Sequence, residues 1–162
     1  MSGTISDEKT VNVPASEAWK LYGTLQLAKI VEEALPDLIS KIDVVQGDGG
    51  AGTVIELFFA PGMEGGLKSY KEKFTVVDEE KRVKETEVVE GGYLDMGFRV
   101  YRVRLEVREV EGNEKQCITR ATIEYELKEE AAANAAALVS IQPLTAIMQI
   151  SADYLHRTYN NN

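Results

Sequence analysis

The sequence predicts an α+β fold: a curved antiparallel sheet wrapped around a long C-terminal helix, with two short helices and an apolar cavity between the layers. Three observations carry this. Six strand-like segments follow one another between Ile39 and Leu127, separated by turns rich in Gly, Asp, Glu and Asn. The chain closes with an Ala- and Leu-rich stretch whose apolar residues recur at helical spacing. A sheet with one apolar face must bury it, and one helix under a curved sheet leaves room beside it.

Pro14, Ala15 and Ser16 precede Ala18, Leu21, Tyr22, Leu25 and Ala28 at helical spacing, with Ser16 expected as the N-cap. A second short helix, Leu27 to Leu35, is stopped by Pro36. Strands are expected at Ile39–Val45, Thr53–Ala60, Ser69–Val77, Arg82–Val89, Met96–Val107 and Gln116–Leu127, an antiparallel meander. Glu129 to Thr158 reads as one helix with Leu138, Ile141, Leu144, Ile147, Met148, Ile150 and Leu155 as its apolar stripe. Pro143 inside it should kink or interrupt it, because the ring removes a donor and crowds the preceding turn. No linker or repeat divides the 162 residues, so one domain is expected over 1–162.

The formal charge of -9 disfavours nucleic acid and anionic membrane, which need a cationic face. A small molecule or a protein partner is expected instead, with the chain a monomer or weak homodimer. Cys117 is the only cysteine, which excludes an intramolecular disulfide and fits a reducing compartment. Met1 to Asn12 is polar and alternating, with none of the marks of a leader, and no apolar run approaches the ~18 residues of a membrane span. The expected location is the cytoplasm.

Gly47, Gly49 and Gly52 satisfy a dinucleotide-type glycine pattern. The strand-like Thr53–Phe59 follows where that motif needs a helix, so the run reads as a hairpin loop and no cofactor is expected. His156 is the only histidine, near the end of the last helix, and is read as structural; no metal site is expected.

Strand period two puts Tyr70, Glu72, Phe74 and Val76 on one face, which looks inward. A carboxylate there costs several kcal/mol by desolvation, roughly, unless it is paired or neutral. Glu72 beside Tyr70 is therefore an anomaly, read either as a functional carboxylate or as one near a solvated mouth with Lys71 and Lys73 turned out. Tyr101, Val103, Leu105 and Val107 alternate with Arg102, Arg104, Glu106 and Arg108, turning the charged set to water. Ala121, Ile123, Tyr125 and Leu127 face inward on the last strand. The expected pocket wall is Phe74, Tyr101, Val103, Ile123 and Tyr125 from the sheet, with Leu144 and Met148 from the helix.

The blocks Gly47–Thr53, Tyr70-Lys71-Glu72-Lys73-Phe74 and Glu90–Gly97 resemble the plant birch-pollen-allergen (Bet v 1) and pathogenesis-related class-ten family over nearly the whole chain. That resemblance implies the family's helix-grip, START-like architecture with a seven-stranded sheet, one strand more than the pattern marks out. Within the family, the Tyr70 strand and the Glu90 block are similar to its norcoclaurine-synthase branch, which condenses dopamine with an arylacetaldehyde in a Pictet-Spengler reaction. Leu27 to Lys41 and Ala131 to Asn134 are similar to its norbelladine-synthase branch, which joins tyramine to an aromatic aldehyde. The resemblance assigns the catalytic positions to Tyr70, Glu72 and Lys84, and puts Val103 where the first branch has an aspartate. It implies an alkaloid-forming lyase that works through an imine without a cofactor. The competing reading is a carrier of small aromatic ligands such as cytokinins or other phytohormones, and a plant-defence protein without a defined ligand stays open beside it.

Overall fold

The computed structural model describes residues 1–130 and 133–160. Its strands are β1 (Ser2–Val11), β2 (Ile39–Gln46), β3 (Val54–Phe59), β4 (Ser69–Asp78), β5 (Val83–Gly91), β6 (Phe98–Val110) and β7 (Asn113–Leu127). They form one sheet in the order β1-β7-β6-β5-β4-β3-β2, with every adjacent pair antiparallel. β2 to β7 are the expected meander, and the alternating N-terminal segment is the seventh strand, added beside β7. The helices α1 (Ala15–Tyr22) and α2 (Gln26–Ala34) join the two edge strands. Gly47, Gly49 and Gly52 adopt positive φ in the β2–β3 hairpin loop, where the Gly49 N–H donates to Thr53 Oγ1 at 2.9 Å.

Ser16 does not cap α1. Pro14 holds that position with φ -59° and ψ 148°, and its carbonyl accepts from the N–H groups of Glu17 and Ala18. The ring pre-sets the entry angle, so the helix begins before Ser16.

The single C-terminal helix expected over Glu129–Thr158 is two helices, α3 (Ala133–Ala136) and α4 (Gln142–Asn160). Ala131 and Ala132 lie outside the described residues. Pro143 does not kink a continuous helix: it occupies the first turn of α4, where its missing N–H has no partner to lose. The interruption falls just ahead of it, where the Ser140 hydroxyl accepts from the Gln142 N–H at 3.2 Å. No described helix is long and apolar enough to cross a membrane.

One expectation about β4 is overturned. The register slips between Phe74 and Val76, a bulge that reverses the facing of everything after it. Val76 therefore faces out, 37% exposed, and Val77 packs against the core in its place.

Met148, Ala152 and Leu155 of α4 pack with Ala18, Leu21 and Tyr22 of α1 in a main core, while Phe98, Tyr101, Ile123 and Leu127 form a second cluster. Each of the large aliphatic and aromatic side chains contributes about 1.5–3 kcal/mol by leaving water. On the convex face Arg102 bridges Glu87 at 3.0 Å and Glu124 at 3.2 Å, and Arg104 meets Glu85 at 2.7 Å. These cross-strand pairs put the β6 arginines outward, as the alternation requires.

Candidate active site

Between the concave sheet and helices α2 and α4 lies a cavity. Leu27 and Val31 of α2, Pro143, Leu144 and Ile147 of α4, and Ile55, Leu57, Phe59 and Leu105 of the sheet make its apolar wall. Few polar side chains break that wall: Tyr70, Glu72, Lys84, Thr86, Tyr93 and Tyr101 from the sheet side, and Ser140. Such a surface holds an aromatic ring by burial and leaves the polar groups to orient it.

Tyr70, Glu72, Phe74, Lys84, Tyr101, Val103, Ile123 and Leu144 all line this cavity. Two expected wall residues do not. Tyr125 packs its ring 6.1 Å from that of Phe98, and its hydroxyl lies where a Cβ on Gly3 would stand, 2.5 Å away. It closes the end of the sheet under β1. Met148 is buried in the core. Pro143, Leu144 and Ile147 share the cavity stripe of α4, whereas Met148 shares the next stripe with Ala152 and Leu155.

Glu72 keeps some accessible surface, and that surface lies in the cavity. Burial raises its carboxyl to about 7, against the opposing pull of the Lys84 charge and of the Thr86 hydroxyl, which donates to Oε2 at 3.3 Å. Lys84 is 3% exposed, and burial lowers its ammonium to about 8, resisted by the charge of Glu72. Its Nζ donates to the Tyr22 carbonyl at 3.2 Å and sits 4.2 Å from the centre of the Phe74 ring. Tyr70 packs between Phe59 at 5.2 Å and Tyr93 at 5.7 Å, and burial pushes its phenol well above the ordinary range.

Tyr93 and Thr86 are site residues that sequence reasoning missed. Thr86 follows Lys84 by two on β5, so strand parity could have found it; an inward lysine hid the face. Tyr93 stands in the short helical turn Gly92–Met96 between β5 and β6. Its ring stacks on Tyr101 at 3.7 Å and 2°, a pairing no local pattern announces. Gly92, at φ +52°, lets Tyr70 close against this turn, since a Cβ there would meet the Tyr70 ring at 2.8 Å. Among the described residues no three His, Cys, Asp or Glu side chains gather as metal ligands. His156 Nε2 accepts from the Asn12 N–H at 2.9 Å and ties α4 to the end of β1.

The pathogenesis-related protein Bet v 1 family matches residues 1–157. The chain belongs to that family. Among Bet v 1 proteins it is 46% identical over 135 residues to norbelladine synthase from Narcissus pseudonarcissus, covering 83% of this chain and 81% of that one. It is 37% identical over 146 residues to S-norcoclaurine synthase 2 from Papaver somniferum, covering 90% of this chain and 62% of the other. In three dimensions it is similar to norcoclaurine synthase from Thalictrum flavum in complex with dopamine and hydroxybenzaldehyde. That likeness has a TM-score of 0.84 and 31% identity, over 97% of this chain and 88% of that chain.

Proposed function

We propose that this chain is a condensing enzyme of alkaloid biosynthesis that joins dopamine or tyramine to an aromatic aldehyde through an imine. The observation that carries the reading is the pair of Glu72 and Lys84, whose pKa values are drawn together to about 7 and about 8 on one apolar cavity. A cavity that only held ligands would have no use for two such costly charges. The Narcissus and Thalictrum enzymes support the reading by likeness.

The roles follow from proton bookkeeping. The amine nitrogen attacks the aldehyde carbon, Lys84 gives a proton to the carbonyl oxygen, and Glu72 takes one from nitrogen. Glu72 returns that proton to the carbinolamine hydroxyl, which leaves as water, and the iminium proton restores Lys84. Amine and aldehyde thus become imine and water with both side chains reset. Tyr70 orients the pair, and the stacked Tyr93 and Tyr101 with Phe74, Val103, Ile123 and Leu144 hold the two rings together. Closure to an isoquinoline would need the aromatic proton removed, a step Glu72 can serve. Val103 puts no carboxylate opposite Thr86, so we assign the chain to imine formation, with ring closure secondary. We place the reaction in the cytoplasm, in a monomer or weak homodimer.

The test is incubation of the purified protein with dopamine or tyramine and a panel of aromatic aldehydes and arylacetaldehydes. Imine is trapped by borohydride and cyclised product resolved by chiral chromatography. Lys84→Met should lower turnover by about 10²-fold or more with the fold intact. Saturable binding with no product above the uncatalysed rate would leave a carrier of aromatic ligands.

A further inference from the structure

Among the described residues Lys84 is the one cation that lines the cavity, and its hydrogen bond goes to a backbone carbonyl, with no carboxylate in salt-bridge contact. A buried ammonium must be compensated or give up its proton. Three elements press on it. β4 brings Phe74, whose ring face lies 4.2 Å from Nζ, and Glu72, the charged group that acts on it. β6 brings the uncharged Leu105 opposite it in register. α1 ends on it, and the Tyr22 carbonyl, one of the last-turn carbonyls that no helical N–H takes, accepts its hydrogen bond at 3.2 Å. Phe74 is 2% exposed, so its ring meets the charge with little solvent accessible to it.

We propose that Phe74 is a positioning residue, its ring face and the carbonyl end of α1 together fixing the Lys84 ammonium in the cavity where a carboxylate partner is missing. The proposal rests on the acid role given to Lys84 above, and it goes beyond it by naming what keeps that acid charged and aimed. An aromatic face is suited to this because it stabilises a cation yet cannot take its proton, whereas a contacting carboxylate would compete with the substrate oxygen.

The test measures Lys84 directly by NMR on lysine-labelled protein, without substrate, so that its outcome is independent of whether the chain condenses amine and aldehyde. In the wild type the ε-CH₂ protons should be shifted upfield by the Phe74 ring current. In Phe74→Leu the Lys84 titration should fall by about one pH unit, the size of a desolvated cation–π contact, and Phe74→Tyr should restore it. In the condensation assay the alkaline limb of kcat should move by the same interval. Ordinary ε-CH₂ positions in the wild type would overturn the proposal even if Phe74→Leu failed to fold. So would an unchanged titration in folded Phe74→Leu, or a Phe74→Tyr variant that behaves like the leucine one.

Discussion

In the proposed reaction, Val103 is the residue assigned to decide between imine and cyclised product. It stands across from Thr86 on β5 and Ile123 on β7, so an aspartate there would reach the Thr86 hydroxyl that now donates to Glu72. If cyclisation is limited by the lack of a second carboxylate, Val103→Asp should raise the share of cyclised product. The added carboxylate should also cost about 1–3 kcal/mol of stability, because it is buried without a dedicated partner. Chiral chromatography and a thermal melt on both proteins check this together. A destabilised variant with an unchanged product ratio would show that Val103 does not limit ring closure.

At the scale of the element, the β4 bulge is what lets one strand serve two purposes. Tyr70, Glu72 and Phe74 face the cavity before it, and Val77 enters the core after it. The facing is testable by charge. Val77→Asp should destabilise the protein by about 2 kcal/mol or more, while Val76→Asp should stay within about 0.5 kcal/mol of wild type. Denaturant midpoints settle it, and the reverse order would mean an unbroken strand. A strict alternation read from Tyr70 onward places Val76 inside, because a bulge needs no sequence mark of its own. The interruption ahead of α4 had such a mark in Pro143, yet the apolar stripe runs on across the break and conceals where the helix restarts.

For the whole molecule, the burial of Glu72 and Lys84 is a stability cost that depends on pH. Glu72 has its pKa raised above the ordinary 4.5 to about 7, so its contribution is fully present below pH 4.5 and lost as pH rises to 7. Lys84 is lowered from 10.5 to about 8, so its ammonium weighs on the fold below pH 8 and is relieved as pH rises toward 10.5. Both penalties therefore act between pH 7 and 8, the window in which Glu72 is ionised and Lys84 protonated. kcat/KM should be bell-shaped with its maximum there, the limbs belonging to the pair rather than to either group alone. Over the same rise from pH 5 to 7.5, wild type should lose stability relative to Glu72→Gln, by about 3 kcal/mol at most. A flat difference would mean that Glu72 titrates like an exposed carboxyl.

What the sequence by itself determined is what local periodicity can encode. The alternation of Tyr101, Val103, Leu105 and Val107 with arginine chose the inner face of β6, the glycines marked the β2–β3 hairpin, and Glu72 stood out on an inward face. Lys84 entered through resemblance, since one lysine in a charged strand carries no signal of its own. The tertiary structure decided the rest. It set Tyr22 and Phe74 around Lys84, stacked Tyr93 on Tyr101, turned Tyr125 under β1 and rolled Met148 into the core. The physical reason is range: facing is fixed within a few residues by backbone geometry, whereas these contacts depend on how strands and helices far apart in the chain come to lie against each other.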